Sequence, residues 1–409
     1  MRTVLSLLGI LCCFWLAWIN ARVGLARIHY LSGDQEYLLS DAATKLSPND
    51  PDAHYRRANA LLEINQTAEA VKEYEQAVAL RPRDFYLWLE LGYALVQSGD
   101  DAGAHTAYTT AVKLAPHYAQ PHQRLGEFLL RTGSREEAFV EFRRAATSDP
   151  AQLQELIDLA WKEYGEDGSA VQRVVAPQSP LETLALARSF LEHERTAEAM
   201  NLFRAAGVTE TPERRQLLAE LLREKKFVEA YEVWSGSLAL RNSGFMASVT
   251  DGGFESELNK DNLGFGWHAT ERSKKIAVSR DPDMPDSGEF SLRVSFGGDS
   301  NPSEDVAKQL LIVKPETSYR VHFAARTQKL VTGGLPFLSV VDASDQLLLG
   351  RSTPLPADTQ GWEKHTIQFR TGSFTQAVNI SLRRDKCSSS PCPVFGSLWL
   401  DSFSLEVAE

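Results

Sequence analysis

The residues able to act as bases, nucleophiles or metal ligands in this 409-residue chain are dispersed. Among its nine histidines, His54, His105, His117 and His122 fall in one helical stretch, while His268, His322 and His365 fall on strands or strand ends. A Walker loop, HExxH, GxSxG and the Rossmann glycine pattern are all missing from the sequence. Gly297 and Gly298 follow a strand but lack the helix and lysine that a phosphate cradle needs. Cys387 and Cys392 bracket Ser-Ser-Ser-Pro. An oxidising compartment would join them, closing a short loop for roughly 2 kcal/mol at most, whereas a reducing one would leave two thiols. The other two cysteines, Cys12 and Cys13, sit in an apolar run, which disfavours a four-cysteine zinc site. A structural or surface role suits each histidine better than catalysis.

The elements that must position them change character along the chain. Residues 85–118, FYLWLELGYALVQSGDDAGAHTAYTTAVKLAPHY, set Trp88, Leu91, Gly92, Gly99, Ala104, Tyr108, Ala111 and Pro116 at the spacing of a 34-residue pair of antiparallel helices. Gly92 and Ala104 are small where the helices cross, Trp88, Leu91 and Tyr108 fill the space beside them, and Pro116 stops the second helix. The register recurs in 51–84 (Ala58, Ala70, Tyr74, Ala77, Pro82) and in 119–152 (Leu125, Gly126, Gly133, Ala138, Phe142, Ala145, Pro150). These three consecutive copies resemble the tetratricopeptide (TPR) repeat family. The resemblance implies an α-solenoid in which the first helix of each pair lines a groove for a protein partner, placing Tyr55, Asn59, Tyr86, Tyr93, Gln123 and Glu127 there. Residues 32–50 read as a capping helix, 51–152 as the three repeats, and 153–236 as degenerate helix pairs interrupted by a linker or irregular turn around Gly165, Gly168, Pro177 and Pro180.

Residues 1–31 read as a membrane anchor or signal segment. The run 4–19, VLSLLGILCCFWLAWI, is free of charge but short for a span, and extension to Leu25 with Arg22 reaching the headgroups would complete one. Arg2 and Ala21 also suit a cleaved signal peptide, and an uncleaved anchor is favoured over it because Ile19 is a poor residue near a cleavage site. The chain is therefore expected to be a single-pass protein of the cell membrane. Arg22 and Arg27 after the run favour a cytoplasmic body, while the C-terminal half and its cysteine pair favour a periplasmic or otherwise extracytoplasmic one. The formal net charge of -11 disfavours nucleic acid as a partner.

After a linker at 237–250, short alternating runs separated by Gly, Pro, Asn and Asp occupy 251–409: 290–296, 308–313, 319–327, 337–342, 362–369, 378–383 and 398–407. They read as an antiparallel β-sandwich, which makes the fold class multidomain α plus β: membrane helix, α-solenoid, then jelly roll. DGGFES at Asp251, Trp267, SGEFSLRVSF at Ser287, KPETSYRVHFAAR at Lys314, GWEKHTIQF at Gly361 and LWLDSFSLEV at Leu398 resemble, in order, the carbohydrate-binding-module and galactose-binding-like jelly-roll superfamily. That resemblance implies a structural calcium on Glu255 and Asp401, completed by carbonyls and residues such as Asp281 or Ser287, with solvated or amide-bonded carboxylates as the alternative. It also implies sugar binding on an exposed aromatic, with Trp267 and Trp362 as the candidates and Trp399 read as core. No cofactor is required.

Together these readings describe a non-enzymatic, membrane-anchored scaffold of the cell envelope. Its groove would bind a protein partner, and its jelly roll would bind glycan or brace the assembly, in a setting of polysaccharide synthesis or export. The competing class is a polysaccharide lyase or hydrolase acting on the jelly roll, which for a glycosidase needs two carboxylates about 5 to 10 Å apart across a cleft.

Overall fold

The computed structural model describes Trp15, Ala17, Trp18 and residues 36–207, 210–236, 248–258, 263–269, 275–299, 301–302, 304–388 and 391–408. The chain gathers into two compact units, Met1–Pro177 and Gln178–Glu409.

The first unit runs through α1 (Glu36–Leu46), α2 (Pro51–Glu63), α3 (Thr67–Leu80), α4 (Phe85–Ser98), α5 (Asp101–Leu114), α6 (Ala119–Arg131), α7 (Arg135–Ser148), α8 (Leu153–Tyr164) and α9 (Gly168–Val175). Aspartates start many of these helices. Asp50, Asp84, Asp100 and Asp167 accept first-turn backbone N–H groups from Asp52, Tyr86, Gly103 and Ala170. Within a pair, a ring lies on bare backbone: a Cβ added at Gly92 would stand 2.8 Å from the Tyr108 ring, and one at Gly126 would stand 2.8 Å from Phe142. Ala58, Ala70, Ala77, Ala104 and Ala111 are fully buried along the same crossings.

A second device ties each pair to the turn before it. Trp88 Nε1 donates to the Pro82 carbonyl at 2.9 Å, and at the equivalent position His54 Nε2 and His122 Nε2 reach the carbonyls of Pro48 and Pro116 at 2.9 and 3.0 Å. The other nitrogen of each histidine meets a carboxylate, Glu73 or Glu141, at 2.6 Å. At His122 the carbonyl and the carboxylate are both acceptors, so only the doubly protonated ring donates to both. The Glu141 hydrogen bond accordingly raises the His122 pKa above the ordinary histidine value, against the opposing effect of burial.

Two expectations change here. Where a linker is expected around Gly168, α9 forms with Ala170, Val171, Val174 and Val175 buried, started by the Asp167 cap. Among the described residues no helix is long and apolar enough to cross a membrane, which overturns the reading of a single-pass membrane protein. The segment behind that reading lies outside the described residues except for Trp15, Ala17 and Trp18, and both tryptophans are exposed, at 61% and 57%.

The second unit begins with α10 (Pro180–Glu192), α11 (Thr196–Ala206), α12 (Pro212–Arg223) and α13 (Phe227–Ser235). Buried Arg214 closes α13 by donating from Nε and Nη2 to the Val233 carbonyl and from Nη2 to that of Trp234. Tyr231 and Trp234 pack on Phe265 with ring centroids 4.9 and 5.6 Å apart, joining these helices to the β structure of the same unit. Residues 237–247 of the expected linker lie outside the described residues.

Among the described residues ten strands follow: β1 (His268–Ala269), β2 (Ile276–Asp281), β3 (Ser291–Asp299), β4 (Ala307–Ile312), β5 (Ser318–Thr332), β6 (Pro336–Asp342), β7 (Leu348–Arg351), β8 (Glu363–Arg370), β9 (Ala377–Arg384) and β10 (Pro393–Val407). They form two antiparallel five-stranded sheets, ordered β1-β4-β9-β6-β7 and β2-β3-β10-β5-β8. Alternate residues face a shared core, with Leu338, Val340 and Ile380 from the first sheet meeting Val294, Phe323 and Leu398 from the second. The second sheet thereby turns the other residues of β3, β5 and β10 away from that core.

Candidate functional site

The groove residues sit on the first helices of three successive pairs: Tyr55 and Asn59 on α2, Tyr86 and Tyr93 on α4, Gln123 and Glu127 on α6. Stacking brings the first of these together. The Tyr55 and Tyr86 rings stand 6.0 Å apart with their hydroxyls 3.4 Å apart, and Tyr74 of α3 lies 6.1 Å from Tyr55 while donating its hydroxyl to Asn59. Asn59 is thus engaged by its own repeat. Tyr86 and Tyr93 remain open at 39% and 48% exposure. Gln123 is half-buried, and Glu127 is exposed and paired with Arg124 at 3.2 Å. Glu90, one turn beyond Tyr86, belongs to this surface although the sequence reading passed over it. Burial pushes its carboxyl up, partly offset by the Tyr86 hydroxyl and by Arg124. The result is a tyrosine-lined strip with both signs of charge, able to hold an extended segment by ring contact and hydrogen bonds.

In the second unit the residues expected to bind sugar or metal have other duties. Trp267 is 3% exposed, its ring 5.0 Å from Phe254 and 4.8 Å from Phe403, and its Nε1 donates to the Asp251 carbonyl. It fills the core and offers no platform. Trp362 is half-buried and donates from Nε1 to the Met284 carbonyl at 3.0 Å, which pins the loop between β2 and β3.

Glu255 and Asp401 hold that same loop. Glu255 Oε1 accepts the amides of Glu289 and Phe290, and Asp401 Oδ2 accepts those of Asp286 and Ser287, while Asp401 Oδ1 accepts Ser402 N–H. Asp281 instead takes the Trp399 indole at 2.8 Å and the Asp283 amide, and Ser287 Oγ meets Ser402 Oγ. Asp401 thus gives both carboxylate oxygens, and Glu255 its Oε1, to main-chain amides, while Asp281 is divided between an indole and an amide. Among the described residues no group of three or more His, Cys, Asp or Glu is placed to hold a metal. Burial raises the Asp401 pKa despite its three amides. Burial also pushes Asp281 and Asp286 up, but it is outweighed by Trp399 N–H and Asp283 N–H at the first and by Lys364 and Ser402 at the second, leaving both below the usual aspartate value. Cys387 and Cys392 are joined by a disulfide with Cα atoms 5.5 Å apart, and buried Arg384 donates to the Cys392 carbonyl.

The sequence reading also missed Arg326. On the outward face of the second sheet its guanidinium carbon lies 4.3 Å from the Trp399 ring centroid and 5.6 Å from that of Trp362. Trp399 is buried, as expected, yet beneath arginines on this outer face and outside the shared core. The signal for Arg326 was the alternation within YRVHFAAR, which turns its side chain to the opposite face from Phe323 and Ala325.

Comparison with known proteins bears on the helical region. The tetratricopeptide repeat family profile matches residues 38–85, 55–119 and 89–152. TPR repeat-containing protein PA4299 of Pseudomonas aeruginosa is 34% identical over 88 residues, 22% of this chain and 36% of that protein. BBSome complex member bbs-4 of Caenorhabditis elegans is 27% identical over 145 residues, 32% of this chain and 31% of its own. Protein FlbA of Caulobacter vibrioides is 29% identical over 101 residues, 25% of this chain and 17% of its own, so this chain spans well under half of each relative. Among solved structures, a MamA from Desulfovibrio magneticus RS-1 is 16% identical, with 46% of this chain and 92% of that chain covered at a TM-score of 0.30. Yeast Tom70 is 18% identical, with 54% and 50% covered, also at a TM-score of 0.30. Scores this low carry no functional argument. Through residues 38–152 the chain carries tetratricopeptide repeats, a protein-interaction scaffold.

Proposed function

We propose that the chain is a non-enzymatic scaffold whose solenoid takes an extended segment of a partner protein along Tyr55, Tyr86, Tyr93, Gln123 and Glu127, while its sandwich binds glycan, in a setting of polysaccharide synthesis or export. The observation that carries the first half is the alignment of Tyr55 and Tyr86 across consecutive repeats, with Tyr86 and Tyr93 left open to solvent. The glycan half rests on the order of sandwich landmarks from Asp251 to Leu398. The non-enzymatic reading is supported by how the perturbed groups are engaged: His122 is tied to Pro116 and Glu141, and Asp281, Asp286 and Asp401 are tied to the β2–β3 loop and its neighbours. A photo-crosslinking residue placed at Tyr93 is expected to capture one partner polypeptide in the source cells. Tyr93→Ala should weaken co-purification of that partner while leaving the thermal melt in place. Crosslinks from position 93 to no polypeptide, with the fold intact, would remove the groove from the account.

A further inference from the structure

We propose that the outer face of the second sheet, centred on Arg326, binds the carboxylates of an acidic polysaccharide. This deepens the glycan reading of the sandwich and rests on it. The strand register lays one row across the sheet: Ser279 of β2 opposes Arg293 of β3, Arg293 opposes Trp399 of β10, and Trp399 opposes Arg326 of β5. The two arginines lie over the Trp399 ring, at 5.3 Å for Arg293 and 4.3 Å for Arg326, and Trp362, just before β8, meets Arg326 from the side.

The two guanidiniums differ in how directly the carboxylate of Asp281 meets them. Arg293 lies 3.5 Å from Asp281. The Arg326 side chain stacks on the two indoles with no hydrogen bond or salt bridge among the described residues, and Asp281 acts on it only as a more distant charge. Stacking on indole orients a guanidinium and leaves its edge N–H groups directed outward, the arrangement that meets a carboxylate through two parallel hydrogen bonds. On a chain of net charge -11, a guanidinium whose N–H groups meet no carboxylate directly offers a local site for an anion.

The next row on the same face supplies groups suited to hydroxyls. Ser295 and Ser397 stand Oγ to Oγ at 3.4 Å, and Ser397 opposes exposed Gln328. Beyond them Phe395 is 48% exposed and provides a ring for a sugar face. The rows lie about 7 Å apart along the strands. β3, β10 and β5 are each paired on both sides, so this face has no free strand edge on which a peptide could add. Two stacked guanidiniums beside Asp281 on an acidic chain are also far from the basic stripe that nucleic acid requires.

The test uses the full chain in affinity electrophoresis through gels containing polygalacturonate, alginate, methyl-esterified polygalacturonate, dextran or poly-glutamate. Retardation is expected in the first two and should fall with esterification. Arg326→Gln should weaken it about tenfold, the scale of a charge-assisted hydrogen-bonded contact, and Arg326→Lys by less. A melting curve of each variant checks the fold, and Trp362→Phe provides a second probe of the stack. Equal retardation by free and esterified polymer, by poly-glutamate and polygalacturonate, or by wild type and a folded Arg326→Gln would each overturn the proposal. Retardation by dextran alone would overturn it while leaving the glycan reading of the sandwich in place, and retardation by no polysaccharide would remove both.

Discussion

The solenoid and the sandwich solve the same problem, placing side chains side by side, by opposite routes. In the solenoid the neighbours are equivalents in a repeat: Tyr55 meets Tyr86, and His54, Trp88 and His122 perform one task three times. In the sandwich the neighbours come from strands far apart in the chain, as when Asp401 holds Asp286 and Ser287, or Trp399 lies under Arg293 and Arg326. Local order can be read from spacing, whereas register across a sheet cannot. The difference also predicts how each region fails.

The largest effect expected is at a repeat crossing. Gly92→Leu must displace the Tyr108 ring and should destabilise the solenoid by about 1 to 3 kcal/mol. Thermal melts of Gly92→Leu and Tyr93→Ala set side by side check this, and a larger loss for Tyr93→Ala would reverse the assignment of buried and open helix faces.

A loss of comparable or smaller size is expected in the sandwich at Asp401→Ala, which strips the Asp286 and Ser287 amides of their acceptor at about 1 to 3 kcal/mol. Because amides occupy Asp401 and Glu255, a chelator should leave the melting temperature of the wild type unchanged. Calcium-dependent melting would restore the metal reading and break the contrast.

The smallest effect is a divergence with pH. His122 has its pKa raised by Glu141, so its stabilisation is complete below the ordinary histidine value and disappears as pH rises through the raised one. Arg144 lies close enough to oppose that shift without reversing it. For Asp281 and Asp286 the pKa is lowered, so their stabilisation is present above the ordinary aspartate value and disappears as pH falls through the lowered ones. Urea titrations should therefore show wild type approaching a His122→Phe variant in stability on the alkaline side, and approaching an Asp281→Asn variant on the acid side. Parallel losses in the two regions at both extremes would count against this.

How much of this was legible follows from the same contrast. Gly92, Tyr108 and Gly126 could be placed because each recurs at a fixed interval, and β3 to β6 and β8 to β10 could be placed because their apolar residues alternate. β7 has no buried residue to mark it, and α9 lay hidden between glycine and proline signals despite its buried valines. Within the candidate sites, Tyr86 and Tyr93 were legible from register. Trp267 was misjudged because composition does not reveal which face of a strand end an indole takes. Asp401 was read as a possible metal ligand because its partners are backbone amides, which every residue carries and no side chain announces. Arg326 passed unnoticed because its significance lies in cross-strand neighbours.

The loop between β2 and β3 is gripped chiefly through its main chain: the amides of Asp286, Ser287, Glu289 and Phe290 and the Met284 carbonyl are all held by residues outside it. Gly288 is the exception that must stay, since it adopts a φ of +68° and a Cβ there would fall 2.1 Å from Glu255. Beyond the Asp286 carboxylate, the Ser287 hydroxyl and the Phe290 ring under Arg280, this grip asks little of the loop's side chains. Met284, 74% exposed at its crest, and Asp283 beside it can be exchanged without loosening the grip. That makes the loop an evolvable rim beside Arg326, one whose lettering can drift from one descendant to the next while its shape is inherited.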